Sequence, residues 1–288
     1  VNSSAAPAAF VRHGPSIPDF PVILSVPHSA RYYPPALLAD AEAPDRLWLL
    51  EDRFADHLIN RTVERGATVF VAGHARAWID LNRDPRELDP AMIADAPPPD
   101  LILSPRTRNG LGLIPRHVGH HLNLWKRKFS ANEVERRLEE CHRPYHDAIT
   151  DALAAARRRF GIAILLDCHS MPPVRQLSRG HAPAIVVGDR FGSSAATIFS
   201  DMIELVAAQE GFPAARNAPY AGGYSLDRHG KPERGIHALQ IEIDRSRYLD
   251  AALHQPGAGL PAAQLLFSKL FVTLCAEARG WNQAAAAE

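Results

Sequence analysis

Cysteine is scarce and net charge is absent in this 288-residue chain, and each deficit closes off a class of protein. The three cysteines, Cys141, Cys168 and Cys275, are an odd number and show no Cys-x-x-Cys spacing. They argue against a disulfide framework and a cysteine-rich zinc site, and they fit a reducing compartment, here expected to be the cytoplasm. Lys plus Arg and Asp plus Glu number 32 each, so the sequence lacks the electrostatic footprint of a nucleic-acid binder. The local run Arg157-Arg158-Arg159 reads instead as the solvated end of a helix. No apolar run of the roughly 18 residues that a membrane span needs is apparent. The first ten residues lack the basic start and long apolar stretch of a signal peptide. What remains is a soluble protein with neither nucleic acid nor membrane as partner.

Hydrophobic residues make up 46% of the sequence, which suits one large α/β domain, and the whole chain is read as one. Short runs rich in Val, Ile and Leu predict buried strands at Val22–Val26, Thr68–Ala72, Ile162–Asp167, Ala184–Gly188 and Ala238–Asp244. Leu47, Leu50, Phe54 and Leu58 follow helical spacing, and Gly66 closes that segment. Ser130 and Glu133 make a capping box ahead of a helix, which Pro144 breaks or kinks before a second stretch to Phe160. Further helices are expected over Ser194–Glu210, with Gly211 at the C-terminal cap, and from Pro261 to a stop at Gly280. Strands alternating with helices predict a three-layer α/β/α architecture. Residues 84–116, rich in Pro, Arg and Gly, read as a long loop. Residues 1–20 form an N-terminal arm, and the alanine-rich tail 281–288 is expected to fray.

Fourteen histidines are compatible with metal chemistry, but only their placement can carry that reading. Val22–Val26 runs directly into Pro27-His28-Ser29, and Ile162–Leu166 runs into Asp167-Cys168-His169-Ser170. In open α/β sheets ligands bind outside the carboxyl ends of the strands, so His28 and His169 can converge on one ion. Either alone fits a hydrogen-bonded histidine at a strand end; the matched pair favours a metal. In a third strand, Gln240, Glu242 and Asp244 share one face by alternation. A carboxylate between Ile241 and Ile243 is costly unless it is paired or functional. Glu242 is therefore a candidate general base, the alternative being the exposed face of an edge strand. Arg76, Asn82 and Arg83 could clamp carboxylates through planar guanidinium forks, or belong to a solvated loop.

Five segments now stand in order: Pro27-His28-Ser29-Ala30-Arg31, Asp80-Leu81-Asn82-Arg83-Asp84, Asp167-Cys168-His169-Ser170-Met171, Asn217 to Gly223 and Gln240-Ile241-Glu242-Ile243. Together they resemble the motifs of N-formylglutamate amidohydrolases, over roughly residues 22 to 250. That family is similar in fold to zinc carboxypeptidases and to the succinylglutamate desuccinylase and aspartoacylase enzymes. The resemblance implies a mixed central sheet between helical layers and one zinc ion per chain. It implies His28 and His169 as zinc ligands, Glu242 as the base, and Arg76, Asn82 and Arg83 as the clamp on substrate carboxylates. Tyr220 and the glycines after it resemble the segment that lines the pocket.

Two departures matter. Carboxypeptidase-like relatives take an acidic ligand three residues after the first histidine, where this chain has Arg31. The carboxylate must then come from elsewhere, and the resemblance implies the acidic segment Glu51-Asp52: family matching favours Asp52, our choice, whereas helical phasing would favour Glu51. Ala30 stands where the family commonly carries glycine. The implied reaction is hydrolysis of N-formyl-L-glutamate, or a close N-acyl amino acid, to formate and the free amino acid, in histidine catabolism. Alternatives are a zinc aminoacylase or carboxypeptidase-like enzyme and a non-catalytic carboxylate-binding protein. A serine hydrolase using Ser29 or Ser170 is disfavoured, because neither lies in a Gly-x-Ser-x-Gly elbow.

Overall fold

Strands form at all five apolar runs, and four short ones lie elsewhere among the described residues. In a computed structural model of the chain, which describes residues 6–118, 122–174 and 182–285, they are β1 (Phe10–His13), β2 (Val22–Val26), β3 (Thr68–Ala72), β4 (His117–Val118), β5 (Leu122–Asn123), β6 (Ala163–Met171), β7 (Ile185–Gly188), β8 (Ala214–Arg216) and β9 (Ile236–Asp244). The helices are α1 (Pro35–Asp40), α2 (Ala55–Leu58), α3 (Asn60–Glu64), α4 (Pro105–Arg108), α5 (Ala131–Arg137), α6 (Arg143–Phe160), α7 (Thr197–Gln209), α8 (Tyr224–His229) and α9 (Leu260–Ala285). A seven-stranded sheet runs β1-β3-β2-β6-β9-β7-β8, with β4 and β5 paired apart from it. β2, β6 and β9 are parallel neighbours, while β7 runs antiparallel to β9 and parallel to β8. The sheet is mixed, as the resemblance implied. Every residue of β2, β6 and β7 is buried. Both faces of these strands are therefore covered, which is why they read as unbroken apolar runs rather than alternating ones.

The described chain divides into two compact units. One comprises residues up to Val11, Pro27–Glu51 and Val71–Asp147; the other comprises Arg12–Val26, Asp52–Phe70 and Ala148 onward. The second holds most of the sheet. There α9 packs on β2 and β6 and against α7, and α8 packs on β6 and β9. The buried stripe of α9 includes Leu266, Leu270, Phe271, Leu274 and Ala278, at three- and four-residue spacing. Each large side chain in it contributes roughly 1.5–3 kcal/mol by leaving water. Over Leu260–Gly280 this helix is long and apolar enough, by length and composition, to cross a membrane. That corrects the expectation that no such run exists.

Other expectations need correction. Residues 47–58 do not form one helix: a 3-10 segment Pro44–Leu50 gives way to extended Glu51, and the chain restarts at α2 after Phe54, whose φ is 57°. Tertiary contacts to Asp52 and Arg53, described below, override the local periodicity. The last helix does not stop at Gly280 but continues to Ala285. One glycine costs a helix only about 1 kcal/mol, and the alanines that follow are the best helix formers. Residues 281–285 of the tail expected to fray are thus helical, and 286–288 lie outside the described residues. The capping box at Ser130 forms as read, with Ser130 Oγ accepting from Glu133 N and Glu133 Oε2 from Ser130 N. Pro144 does not break the helix. A π-turn over Leu138–His142 joins α5 to α6 and accommodates the proline, which has no N–H to give and would crowd a regular preceding turn.

Candidate active site

In the first unit, His28 lies two residues beyond the end of β2 and is buried. Its Nε2 is 2.7 Å from Oδ1 of Asp80, which is fully buried. Asp80 also accepts from Arg76 Nε at 2.8 Å and from the Asn82 backbone N–H at 2.9 Å, with Arg83 Nη2 at 3.9 Å. Burial works against the charge on Asp80, yet Arg76, Arg83 and His28 outweigh it and hold the carboxyl well below the usual range. Arg83 is buried too, and burial pulls its pKa below the ordinary value. Its Nε donates to the Leu111 carbonyl and its Nη1 to the Asn82 carbonyl, each at 2.8 Å. Two buried histidines fix the same segment from α6 and its π-turn: His146 Nε2 lies 2.7 Å from the Leu81 carbonyl and His142 Nε2 lies 2.9 Å from that of Arg83. Of the three residues read as a clamp, Asn82 and Arg83 are buried in their own loop and Arg76 is half-buried. Glu51 accepts a hydrogen bond from Tyr33.

In the second unit, His169 lies inside β6 rather than after it, because that strand runs on to Met171. Its Nδ1 is 2.9 Å from Asp52 Oδ2, and its Nε2 is 2.9 Å from Asp167 Oδ2. Asp167 is two residues earlier on the same strand and so on the same face. Burial opposes charge on the ring, but Asp167, Asp52 and Glu242 raise its pKa well above the ordinary value. The other oxygen of Asp52 accepts from Arg245 Nη2 at 3.2 Å, while Arg245 Nε donates to Ser170 Oγ at 3.1 Å. Tyr248 donates its hydroxyl to the Arg53 carbonyl at 2.7 Å. The turn after β9 therefore holds the break at Asp52–Arg53 in place. Glu242 pairs in register with His169 on β9, which lies between β6 and β7. The edge-strand alternative fails, since β9 is central. Gln240 Nε2 donates to Glu242 Oε1 at 2.9 Å. Tyr220 is half-buried in the loop before α8.

Asp52 and His169, paired and buried in the second unit, and His28, buried in the first, are residues of the types that hold a metal ion. Both histidines share a further feature: Nε2 sits on a buried aspartate, Asp80 or Asp167. Metal-binding histidines typically have such an outer carboxylate, which fixes the tautomer and the ring. Asp80, Asp167 and Gln240 lie within the motifs, but their sequence context alone assigns them no role. For Asp167 a signal existed, the two-residue spacing from His169 along a strand. For Arg245, distant in sequence from Asp52, there was none.

A profile described as N-formylglutamate amidohydrolase matches residues 20–249. A protein named N-formylglutamate deformylase from Pseudomonas aeruginosa is 30% identical over 235 residues, covering 80% of this chain and 82% of its own. One of the same name from Pseudomonas putida is 28% identical over 239 residues, with shares of 80% and 82%. Among solved structures, an N-formylglutamate amidohydrolase from Ralstonia eutropha JMP134 matches with a TM-score of 0.87 at 32% identity, covering 96% of this chain and 99% of that one. A gene product from Agrobacterium tumefaciens, at 18% identity and TM-score 0.67, covers 93% and 94% and shares the fold.

Proposed function

Since this chain belongs to the N-formylglutamate amidohydrolase family, we propose that it is a zinc-dependent hydrolase of the formyl amide of N-formyl-L-glutamate or a close N-acyl amino acid. The observation that carries this reading is the buried Asp52–His169 pair with Glu242 in register beside His169, and His28 is read as the third ligand. Two imidazoles and one carboxylate suit zinc in a catalytic site, which keeps a fourth position open. With Nε2 of each histidine on a carboxylate, His28 and His169 would offer Nδ1 to an ion. Bound there, zinc would supply Lewis acidity, which polarises an amide carbonyl and lowers the pKa of water.

The remaining work belongs to side chains. Glu242 accepts a proton from the attacking water and delivers it to the amine nitrogen as the C–N bond breaks, leaving formate and the free amino acid. Gln240 orients that carboxylate through its amide hydrogen bond. Arg76, supported by Asn82 and Arg83, binds the substrate carboxylates, and Tyr220 lines the pocket. Three buried cysteines outside any disulfide support the cytoplasm as the setting. The test is formate release from N-formyl-L-glutamate, run with metal analysis on the same preparation and alongside N-acetyl and N-succinyl amino acids. We expect formate release that a chelator abolishes and zinc restores. Metal-loaded protein that releases no formate would refute the reading, and faster hydrolysis of the acetyl substrates would favour an aminoacylase.

A further inference from the structure

β7 ends at Gly188, which stands opposite Gln240, two residues along β9 from Glu242. Residues paired directly across a sheet point to the same face, as do residues two apart on one strand. The missing side chain at 188 therefore leaves bare backbone on the face that carries Gln240 and Glu242. The loop from Asn217 to Gly223 fills that space. A β-carbon at 188 would stand 2.8 Å from the carbonyl carbon of Ala221 and 2.9 Å from the amide nitrogen of Gly222. Both neighbours are backbone, which no rotamer change can move aside.

The same loop is pinned around this contact. Asn217 N donates to the Val187 carbonyl at 2.8 Å, and Arg190 N donates to the Ala221 carbonyl at 2.9 Å. The Asn217 side chain accepts from Asp189 N at 3.1 Å and donates to Asp189 Oδ1 at 2.8 Å. Asp189 is fixed in turn by Ser200 Oγ at 2.7 Å and Gly192 N at 3.0 Å. The turn after β7 is a cradle built to hold the loop, and only a residue without a side chain lets the loop reach its floor. Gly188 is not among the positive-φ residues, so alanine fits its own backbone and the consequence falls on the loop.

We propose that Gly188 is a positioning residue for substrate binding: carrying no side chain, it seats the Asn217–Gly223 loop, and with it Tyr220, beside Gln240 and Glu242. This rests on the reading of Glu242 as base and Tyr220 as pocket lining. The test uses Gly188→Ala and Gly188→Val in the full chain. KM for N-formyl-L-glutamate should rise about tenfold in the alanine variant and further in the valine variant, with kcat within about threefold and zinc affinity unchanged. Amide hydrogen exchange over residues 217–223 should accelerate by about tenfold while β6 and β9 stay protected. Unchanged exchange in the loop would overturn the proposal, as would faster exchange with an unchanged KM. A joint fall in kcat and thermal midpoint would show a merely structural role and overturn it too. A wild-type chain that releases no formate would refute the proposed reaction, while the exchange comparison would still decide whether Gly188 seats the loop.

Discussion

Asp80→Asn removes one charge and almost no volume, so it isolates what the buried carboxylate does. Asparagine keeps an oxygen that can accept from His28 and the Asn82 N–H, but its amide nitrogen takes the place of the oxygen that receives Arg76 Nε. Donor then faces donor, and two arginines lose their counter-charge. Removing one partner of a buried ion pair costs roughly 3–5 kcal/mol. The Arg76 side chain is 18% exposed and can turn to water, which reduces the cost. Arg83, 6% exposed and tied to two carbonyls, has no such outlet. The expected loss is therefore roughly 2–4 kcal/mol, read from urea denaturation of metal-free protein by tryptophan fluorescence. Because Asp80 also holds the His28 ring, zinc affinity measured by chelator competition should fall by roughly 10- to 100-fold. A stability loss under about 1 kcal/mol, the range of a surface pair, together with unchanged affinity would refute the reasoning.

Three further outcomes are expected. Asp52→Ala should strip zinc as His28→Ala and His169→Ala do, whereas Glu51→Ala should keep it, since Glu51 serves Tyr33; metal analysis of the four proteins decides, and the reverse order would restore the helical-phasing argument. Glu242→Gln should lower kcat by roughly two to four powers of ten with zinc content and substrate affinity little changed, and near-normal turnover would remove Glu242 from the mechanism. His237 is buried, accepts from Ala196 N at 3.2 Å, and burial pushes its pKa from 6.5 down to about 4. The unfolded chain takes up a proton near pH 6.5 that the folded chain refuses until about 4, so stability drains away as pH falls through that window. Between pH 7 and 4 the wild type should lose up to about 3 kcal/mol more than His237→Asn, and parallel stability curves would contradict this.

Much of this arrangement was legible because it is local. β2 and β3 appear with the bounds their apolar runs predict, and the capping box at Ser130 needs only four residues to declare itself. Glu242 stood out because a charge between two isoleucines in a strand demands an explanation, and the central place of β9 supports the functional one. The break at Glu51–Phe54 was hidden, because Leu47, Leu50 and Leu58 are all buried and therefore keep a helical rhythm without sharing a helix. What interrupts them is contact with Arg245 and Tyr248, nearly two hundred residues away in sequence. The division of Arg83's hydrogen bonds between Leu111 and Asn82 was equally out of reach, since composition cannot tell a donor aimed at substrate from one aimed at a carbonyl.

The π-turn before Pro144 makes this stretch intolerant of changes in length. A π-turn holds one residue more than the α-helical turn it replaces, so deleting any one residue from Leu138–His142 would let the segment relax into ordinary helix. That relaxation would keep the phase of the flanking turns but remove the wide turn that accommodates Pro144, whose ring would then crowd the carbonyl four residues before it. A further inserted residue would instead turn the helix by about 100°, so that His142 or His146 could no longer reach the Arg83 or Leu81 carbonyl and a buried acceptor would go unanswered. Residues 84–116 carry no such phase constraint over most of their length, and loops absorb added residues at little entropic cost. Insertions and deletions should thus be filtered more strictly at the π-turn than over residues 84–116, a contrast that a library of single-residue indels would reveal directly.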